Sequence, residues 1–266
     1  MSGGAHPYTS QLQAGLGLVD ETKALLALWQ PGMSAPQLQA AALSSGQFPN
    51  VAARRLRNVV IECFAPRYLV AGTQVWQPAR ILKRLLPTLA APELRQLLLV
   101  YTCRANPILG DFVRTVYWPS YAAGAAVIDN ASAKAFVQRG IDDGKTAKRW
   151  SESTVRRVAG YLTGCCADYG LLETGTRRKR RLLSFKTSAA VVAVLAHDLH
   201  FRGVADNALL MHENWGLLGL GRQEVLDEFR RLSLQNLWIV QAAGDTVRIG
   251  WLQHDMETVC DVLTQS

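Results

Sequence analysis

The sequence predicts a mainly α-helical protein with small β-hairpins, in which helix-turn-helix or winged-helix units are joined by a helical connector. Three observations predict this class. Apolar residues recur at helical spacing, prolines and glycines divide these stretches into short helices, and two pairs of strand-like segments flank turn residues. The predicted organisation is an N-terminal helical domain (1–75), a helical connector (76–140) and a C-terminal winged-helix region (141–266).

Three short helices are predicted in the N-terminal domain, over about 19–29, 35–43 and 51–64. Each is bounded by proline, glycine or serine, and the second begins after a serine N-cap. The third helix carries Arg54 and Arg57 on its polar side. Because three short helices with a basic third one are typical of a helix-turn-helix arrangement, these two arginines are candidate DNA contacts.

The connector is predicted to be helical throughout. Five prolines divide residues 77–140 into short stretches, and aromatic residues supply their apolar bulk. No site is predicted in this region.

The C-terminal region begins with a predicted helix over about 150–169, capped by a serine and closed by Gly170. Its apolar face is Val155, Val158, Leu162, Cys165 and Tyr169. Its outer side is predicted to carry Ser153, Arg156, Arg157, Gly160 and Gly164.

A β-hairpin with a basic tip is predicted directly after this helix, with strands at 171–174 and 182–186. The turn between them contains five consecutive cations, namely Arg177, Arg178, Lys179, Arg180 and Arg181. Residues 141–190 hold 11 Lys and Arg against 5 Asp and Glu, whereas residues 191–266 hold 5 against 10. The positive charge is therefore concentrated around this helix and hairpin.

A basic helix followed by a basic hairpin indicates duplex DNA as the partner. Binding to DNA is driven largely by replacing counterions at phosphates with Lys and Arg, and a helix fits the major groove. Ser153, Arg156 and Arg157 are the candidate groove residues, and the hairpin tip is the candidate phosphate contact. A solvated charged turn without a partner is the simpler alternative. RNA is less favoured, because the sequence lacks an RNP-like aromatic strand and a GxxG loop.

The end of the chain repeats the order of helices followed by a hairpin, but its turn is acidic and has no cation cluster. The predicted helices cover 189–199, 206–212, 222–234 and 255–263, and the predicted strands cover 237–240 and 247–251.

No catalytic or metal site is predicted. The five cysteines form no CxxC pair, so buried free thiols are expected. His197 and His200 could share a helix face, but two ligands do not make a metal site, so core or surface histidines are expected. There is no phosphate-binding or dinucleotide motif, no signal peptide and no apolar run long enough for a membrane. The protein is expected to be cytoplasmic, to be no enzyme, and to use no cofactor, metal, membrane or small-molecule substrate.

Several segments along the chain carry a family resemblance, namely Tyr8-Thr9-Ser10 with Gly15, Glu21-Thr22, Leu28-Trp29-Gln30-Pro31-Gly32, Arg54-Arg55-Leu56-Arg57 and Trp150-Ser151-Glu152-Ser153-Thr154. Through these segments the chain resembles the BrxA family of BREX phage-defence systems over most of its length. The resemblance implies winged-helix units that bind double-stranded DNA beside other BREX proteins, and it brings no catalytic residues. The expected function is therefore that of a non-catalytic DNA-binding accessory protein. The alternative is a protein-interaction adaptor whose winged-helix units dock other subunits, which the acidic residues 191–266 favour.

Overall fold

The structure is a computed structural model, and the prediction of a mainly helical protein with small antiparallel strand pairs is confirmed. It describes residues 8–10, 16–70, 77–175, 178–244 and 246–265. The strands are β1 (Val127–Asp129), β2 (Lys179–Arg181), β3 (Trp238–Ala243) and β4 (Thr246–Trp251). The helices are α1 (Val19–Leu28), α2 (Ala35–Ser44), α3 (Ala53–Arg57), α4 (Ala65–Tyr68), α5 (Pro78–Leu85), α6 (Ala91–Ala105), α7 (Pro107–Phe112), α8 (Trp118–Ala122), α9 (Asn130–Asp142), α10 (Glu152–Asp168), α11 (Ala189–Phe201), α12 (Asp206–Leu210), α13 (Arg222–Leu232) and α14 (Met256–Gln265).

Contacts between residues divide the chain into two units. The first unit contains Met1–Val70 and Leu98–Phe185, and the second contains Ala71–Leu97 and Lys186–Ser266. The three domains predicted from the sequence, 1–75, 76–140 and 141–266, stay a prediction.

The N-terminal helices of the first unit lie where the sequence predicts them. The start of α2 is capped as expected, because the Ser34 N–H donates to Gln37 Oε1 at 2.8 Å. The predicted third helix begins as α3, continues as a π-helical stretch over Asn58–Phe64 and ends as α4. Leu56 and Val60 on its inner side are fully buried, so the predicted apolar face packs in the core.

A short strand interrupts the region that the sequence predicts to be wholly helical. β1 pairs with β2 in antiparallel fashion, with Val127 opposite Arg181 and Asp129 opposite Lys179. The helical prediction is therefore wrong for β1. Three residues are too few to show a strand alternation, and the partner strand lies far along the chain.

The helix predicted before the basic segment is confirmed as α10. Ser151 is its N-cap and accepts from the Thr154 N–H at 3.3 Å. The five residues of its predicted apolar face are all buried. Gly170 follows with φ 80, a left-handed conformation that ends a helix with little strain when the residue is glycine.

The predicted basic hairpin needs a correction. β2 covers Lys179–Arg181, which the sequence analysis assigns to the turn, and the pairing ends at Leu183 rather than at residue 186. On the side away from β1, the Glu173 N–H donates to the Arg181 carbonyl at 2.9 Å and the Leu183 N–H donates to the Leu171 carbonyl at 3.0 Å. β2 therefore has backbone partners on both sides, and this extends the strand into the basic run.

The second unit confirms the predicted C-terminal elements to within a few residues at their ends. β3 and β4 form the predicted hairpin, with Trp238 opposite Trp251. Trp238 stacks on Phe229 of α13 with ring centroids 4.5 Å apart, and both are fully buried. This aromatic contact joins the hairpin to the helix that precedes it.

All five cysteines are free and buried, as predicted. Among the described residues, no helix combines the length and the apolar character that crossing a bilayer requires.

Candidate nucleic-acid interface

The first two turns of α10 hold its exposed cations. Ser153, Arg156 and Arg157 are all exposed to solvent. Arg156 donates to the Glu152 carboxylate one turn earlier at 2.9 Å. Arg157 has no acidic partner in the part of the chain that the structure describes. An external anion can therefore bind Arg157 directly, whereas it can bind Arg156 only in competition with the Glu152 carboxylate.

The C-terminal half of α10 is enclosed, which corrects its predicted outer side. Gly160 is open, since an added Cβ there meets no atom within 4 Å. Gly164 is buried, and a Cβ there would lie 3.1 Å from Leu16 Cδ1. The helical spacing places Gly164 outside, but the chain around Leu16 covers it. Only the N-terminal half of α10 offers an open surface.

The cations after α10 divide between exposed and inward positions. Arg178, Lys179 and Arg181 are exposed, whereas Arg180 is half-buried. Its Nη1 donates to the Glu173 carbonyl oxygen at 2.9 Å, and its Nε is buried without a hydrogen-bond partner among the described atoms. Strand alternation explains the division, because neighbours in a strand point to opposite faces. Arg180 therefore stabilises β2 from its inner face through this hydrogen bond.

An open cleft lies beside the start of α9, and we call it the α9 cleft. Asp129 caps α9, since its carboxylate accepts from both the N–H and the hydroxyl of Ser132 at 2.8 Å. These hydrogen bonds, with a smaller contribution from the charge of Lys179, hold the pKa of Asp129 below its usual value. The lining residues are Asp129, Asn130, Ala131, Lys134, Arg156, Arg178 and Lys179.

Four residues of the cleft were missed from the sequence, namely Asp129, Asn130, Ala131 and Lys134. All four lie in the stretch that is predicted to be a connector without a site. No local pattern singles them out, because the cleft exists only when β1 pairs with β2. The structure thus brings Lys134 together with three of the predicted cations, Arg156, Arg178 and Lys179.

The remaining predicted DNA contacts lie elsewhere. Arg54 and Arg57 are exposed on α3 and line no part of the α9 cleft. Arg177 falls outside the described residues.

Tyr8 fixes the N-terminal segment beside the loop that leads into α10. Its N–H donates to the Lys145 carbonyl oxygen and its hydroxyl to the Asp111 carboxylate. Lys145 Nζ lies 3.1 Å from Asp111 Oδ2. Gly140 makes room for the ring, because a Cβ there would lie 2.6 Å from Tyr8 Cε2. Burial and the hydrogen bond to Asp111 raise the pKa of Tyr8, so its hydroxyl stays a donor.

Of the two histidines considered as ligands, both in the second unit, His197 lies in the core and His200 is half-buried. His197 is fully buried, with Nδ1 2.8 Å from the Ala193 carbonyl oxygen. Burial lowers the pKa of His197 to about 4. His200 stacks on Trp251 at a centroid distance of 4.2 Å. Among the described residues, no group of three or more His, Cys, Asp or Glu is arranged to hold a metal ion.

The fold of this chain recurs in a solved structure. The crystal structure of an uncharacterized protein from Magnetospirillum magneticum is similar, with 15% sequence identity and a TM-score of 0.58 over 73% of this chain and 94% of that chain. At this identity the likeness shows the fold alone. No curated protein matches the chain.

The sequence model of one family, described as BrxA, matches residues 6–198. That range contains α10, β2 and the whole lining of the α9 cleft. Because the match covers well over half of the chain, this protein belongs to the BrxA family and is a component of BREX phage defence.

Proposed function

We propose that this BrxA-family protein is a non-catalytic, cytoplasmic accessory subunit that binds double-stranded DNA through its first unit, without a metal, cofactor or small-molecule substrate. The observation that carries the proposal is the group of four cations that lines the α9 cleft, of which Arg156, Arg178 and Lys179 are exposed and Lys134 is half-buried. Such a group fits the regularly spaced phosphates of a duplex.

The order of elements supports a winged-helix reading of this surface. Along the chain come β1, α9, α10, the paired segment 171–173 and β2, and β2 lies between β1 and that segment. In a winged helix, the second helix of such a pair enters the major groove, and the loop between the last two strands forms the wing. Here α10 takes the first role, and Thr174, Gly175 and Arg178, the described residues between segment 171–173 and β2, take the second.

The exposed side chains suit these two roles. Ser153 and Arg157 lie in the first turns of α10, where a helix that enters the groove end-on contacts bases and phosphates. Arg178 and Lys179 at the base of the wing meet the sugar-phosphate backbone, because a phosphate accepts a cation from many directions.

Duplex binding is tested by its dependence on salt. The full-length protein should bind duplexes of unrelated sequence, and log K should fall linearly with log salt from about 50 to 200 mM, because each contacted phosphate releases counterions. Fluorescence anisotropy with labelled duplexes measures both quantities. Absence of binding at the lowest salt contradicts the proposal.

Protein docking by the second unit is the second candidate function, and the electrostatics of α13 favour it. Arg230 and Arg231 of α13 each pair with an acidic residue three positions earlier on the same helix. Leu234, just beyond α13, is 89% exposed. Because these arginines are paired with acidic residues of the same helix and an exposed leucine lies beside them, this surface suits a protein partner better than a polyanion. Salt-resistant co-purification with other BREX proteins, without any duplex binding, would place this function first.

A further inference from the structure

The α9 cleft joins three elements that are distant in sequence. The Asn130 N–H donates to the Arg178 carbonyl oxygen at 3.0 Å, which holds the first turn of α9 against the start of β2. Arg156 contributes from α10. Backbone hydrogen bonds therefore fix the positions of the residues that line this cleft, whereas the residues of a free turn are not held in this way.

The charge of the cleft is strongly positive. It is lined by the cations Lys134, Arg156, Arg178 and Lys179 and by the single carboxylate Asp129. Among these four cations, Arg156 alone has an acidic partner within the described residues, and that partner is exposed at the edge of α10. The Asp129 carboxylate is already occupied as the cap of α9. The other three cations form no ion pair within the described part of the chain, although the charge of Asp129 acts on Lys179. The cleft keeps a net positive charge, which favours an external anion.

The donors that the cleft offers are side chains rather than helix amides. The N–H groups of Asn130 and Ser132 are already bonded, to Arg178 and Asp129. Asn130 Oδ1 accepts from Thr163 Oγ1 at 3.4 Å, which leaves the Asn130 Nδ2 group as the donor. Cationic groups and an amide donor around one opening fit an anion with several acceptor oxygens.

We propose that the α9 cleft binds one backbone phosphodiester of duplex DNA, with Lys134, Arg178 and Lys179 as its charged contacts. The inference rests on the proposed function and adds to it a fixed phosphate site that includes α9. A phosphate held between α9 and β2 sets the register in which α10 lies over the groove, since phosphate contacts orient a protein on a duplex. Lys134 therefore acts on all sequences alike.

Lys134→Ala tests the site, with Arg139→Ala as its matched control. Each change removes one cation from α9, and alanine favours a helix at both positions. Arg139 is exposed and does not line the cleft. Lys134→Ala is expected to weaken duplex binding about five-fold at low salt and to lower the salt slope by about one. Arg139→Ala should leave the slope unchanged, and Lys134→Arg should restore it.

The outcomes separate the cleft from the wider function. If the wild type binds duplexes and both alanine variants behave alike, the cleft is not a phosphate site and the proposed function stands. If the wild type binds no duplex at low salt, both proposals fail.

A titration with inorganic phosphate at constant ionic strength distinguishes the source of the anion, read from the amide NMR signals of residues 130–132. Shifts in this titration, combined with an unchanged duplex slope for Lys134→Ala, would assign the cleft to a free phosphate and overturn the duplex assignment. Shifts on adding duplex that disappear in Lys134→Ala support the proposal.

Discussion

Glu152 and Arg156 form an ion pair on the side of α10 that is proposed to face DNA. An exposed pair one turn apart on a helix contributes only about 0.3–0.5 kcal/mol to stability. If α10 faces DNA as proposed, the effect of Glu152 on binding should be larger, because the carboxylate both holds Arg156 and repels phosphates. Glu152 is therefore expected to weaken binding to every duplex.

Glu152→Gln should tighten binding to every duplex about three-fold at low salt, because one repulsive charge is removed and Arg156 is released. Asp20→Asn on α1 is the matched control, since it removes an exposed carboxylate that lines no part of the α9 cleft, and it should change little. Weaker binding of Glu152→Gln would contradict the repulsive role.

Arg156→Ala should reduce the favourable binding free energy by roughly 1–3 kcal/mol at a preferred site and by less elsewhere if that side chain reads a base. Competition between selected and random duplexes measures both changes.

Arg180 shows how far single residues can be read from the sequence. Its neighbours in the basic run are chemically equivalent to it, so alternation predicts that only about half of the five point one way but not which of them do. The pairing of β2 with β1 then turns Arg180 inward and its neighbours outward. The predicted exposure of Ser153 and Arg157 agrees with the structure because a long helix has a strong period, whereas a short strand reveals its faces only through its partners.

At the scale of elements, the two sides of β2 have different roles. Lys179 and Arg181 are exposed and are proposed to bind DNA, whereas Arg180 points inward and stabilises the fold. Replacing Arg178, Lys179 and Arg181 together by alanine should weaken binding to all duplexes, and the salt slope should fall by about one for each phosphate that these side chains meet. Thermal unfolding should change little, because exposed cations in a row add little stability. An unchanged slope would mean that this segment is no DNA-binding wing and would place the adaptor function ahead.

Arg180→Ala is the matched contrast within the same strand. It removes the hydrogen bond to the Glu173 carbonyl and should lower the stability of the first unit by about 1 kcal/mol, with little change in the salt slope.

The packing of α9 against the N-terminal segment depends on the size of one residue. Gly140→Ala puts a methyl group against the Tyr8 ring, where it cannot fit without displacing the ring. We expect a loss of about 1–3 kcal/mol in stability and faster proteolysis near Tyr8. Gly160→Ala in α10 is the matched control, because its Cβ meets nothing within 4 Å, and it should stabilise the helix by up to about 1 kcal/mol. Equal stability of the two variants would contradict this account.

Helices were predictable here and long-range pairings were not. α1, α2, α10 and α11 lie close to their predicted bounds because their apolar periodicity is local. The sequence did not predict β1, and it therefore did not predict the α9 cleft. A three-residue strand can be recognised only from its pairing, and its partner β2 follows two helices later in the chain. The sequence thus indicated the cations of the candidate site but not their arrangement.

At the scale of the whole molecule, the distribution of charge between the two units agrees with the functions proposed for them. The segment 141–190 holds 11 Lys and Arg against 5 Asp and Glu, and all of it up to Phe185 belongs to the first unit. Residues 191–266, with 5 against 10, belong to the second unit. Over their full ranges, the first unit holds 19 Lys and Arg against 10 Asp and Glu, and the second holds 10 against 11. The first unit therefore suits a polyanion better than the second, which is consistent with one unit for DNA and one for a protein partner.

The stability of the second unit should fall in mild acid. His197 has a pKa of about 4 in the folded protein, below the ordinary value of 6.5 that an unfolded chain has, because burial favours the neutral ring. Its contribution is complete above pH 6.5 and is lost as the pH falls toward 4. Between pH 7 and pH 5 the loss is about 2 kcal/mol, and burial lowers the pKa of His200 in the same direction.

His197→Phe keeps an aromatic ring beside Trp238 and Trp251 but removes the titrating group. Unfolding followed by tryptophan fluorescence at both pH values should therefore show a smaller acid loss in this variant than in the wild type. An equal loss in both proteins would exclude His197 as the cause.

The pairing of β1 with β2 also has a consequence for biosynthesis. The strands enclose α9 and α10 between them in the chain, so β1 has no partner until Arg181 has been synthesised and has left the ribosome. A nascent chain that ends before this point carries Lys134 and Arg156 but cannot assemble the α9 cleft around them. Unfinished chains therefore lack the arrangement that would hold them to nucleic acid, and this capacity arises only after the ribosome has released both strands.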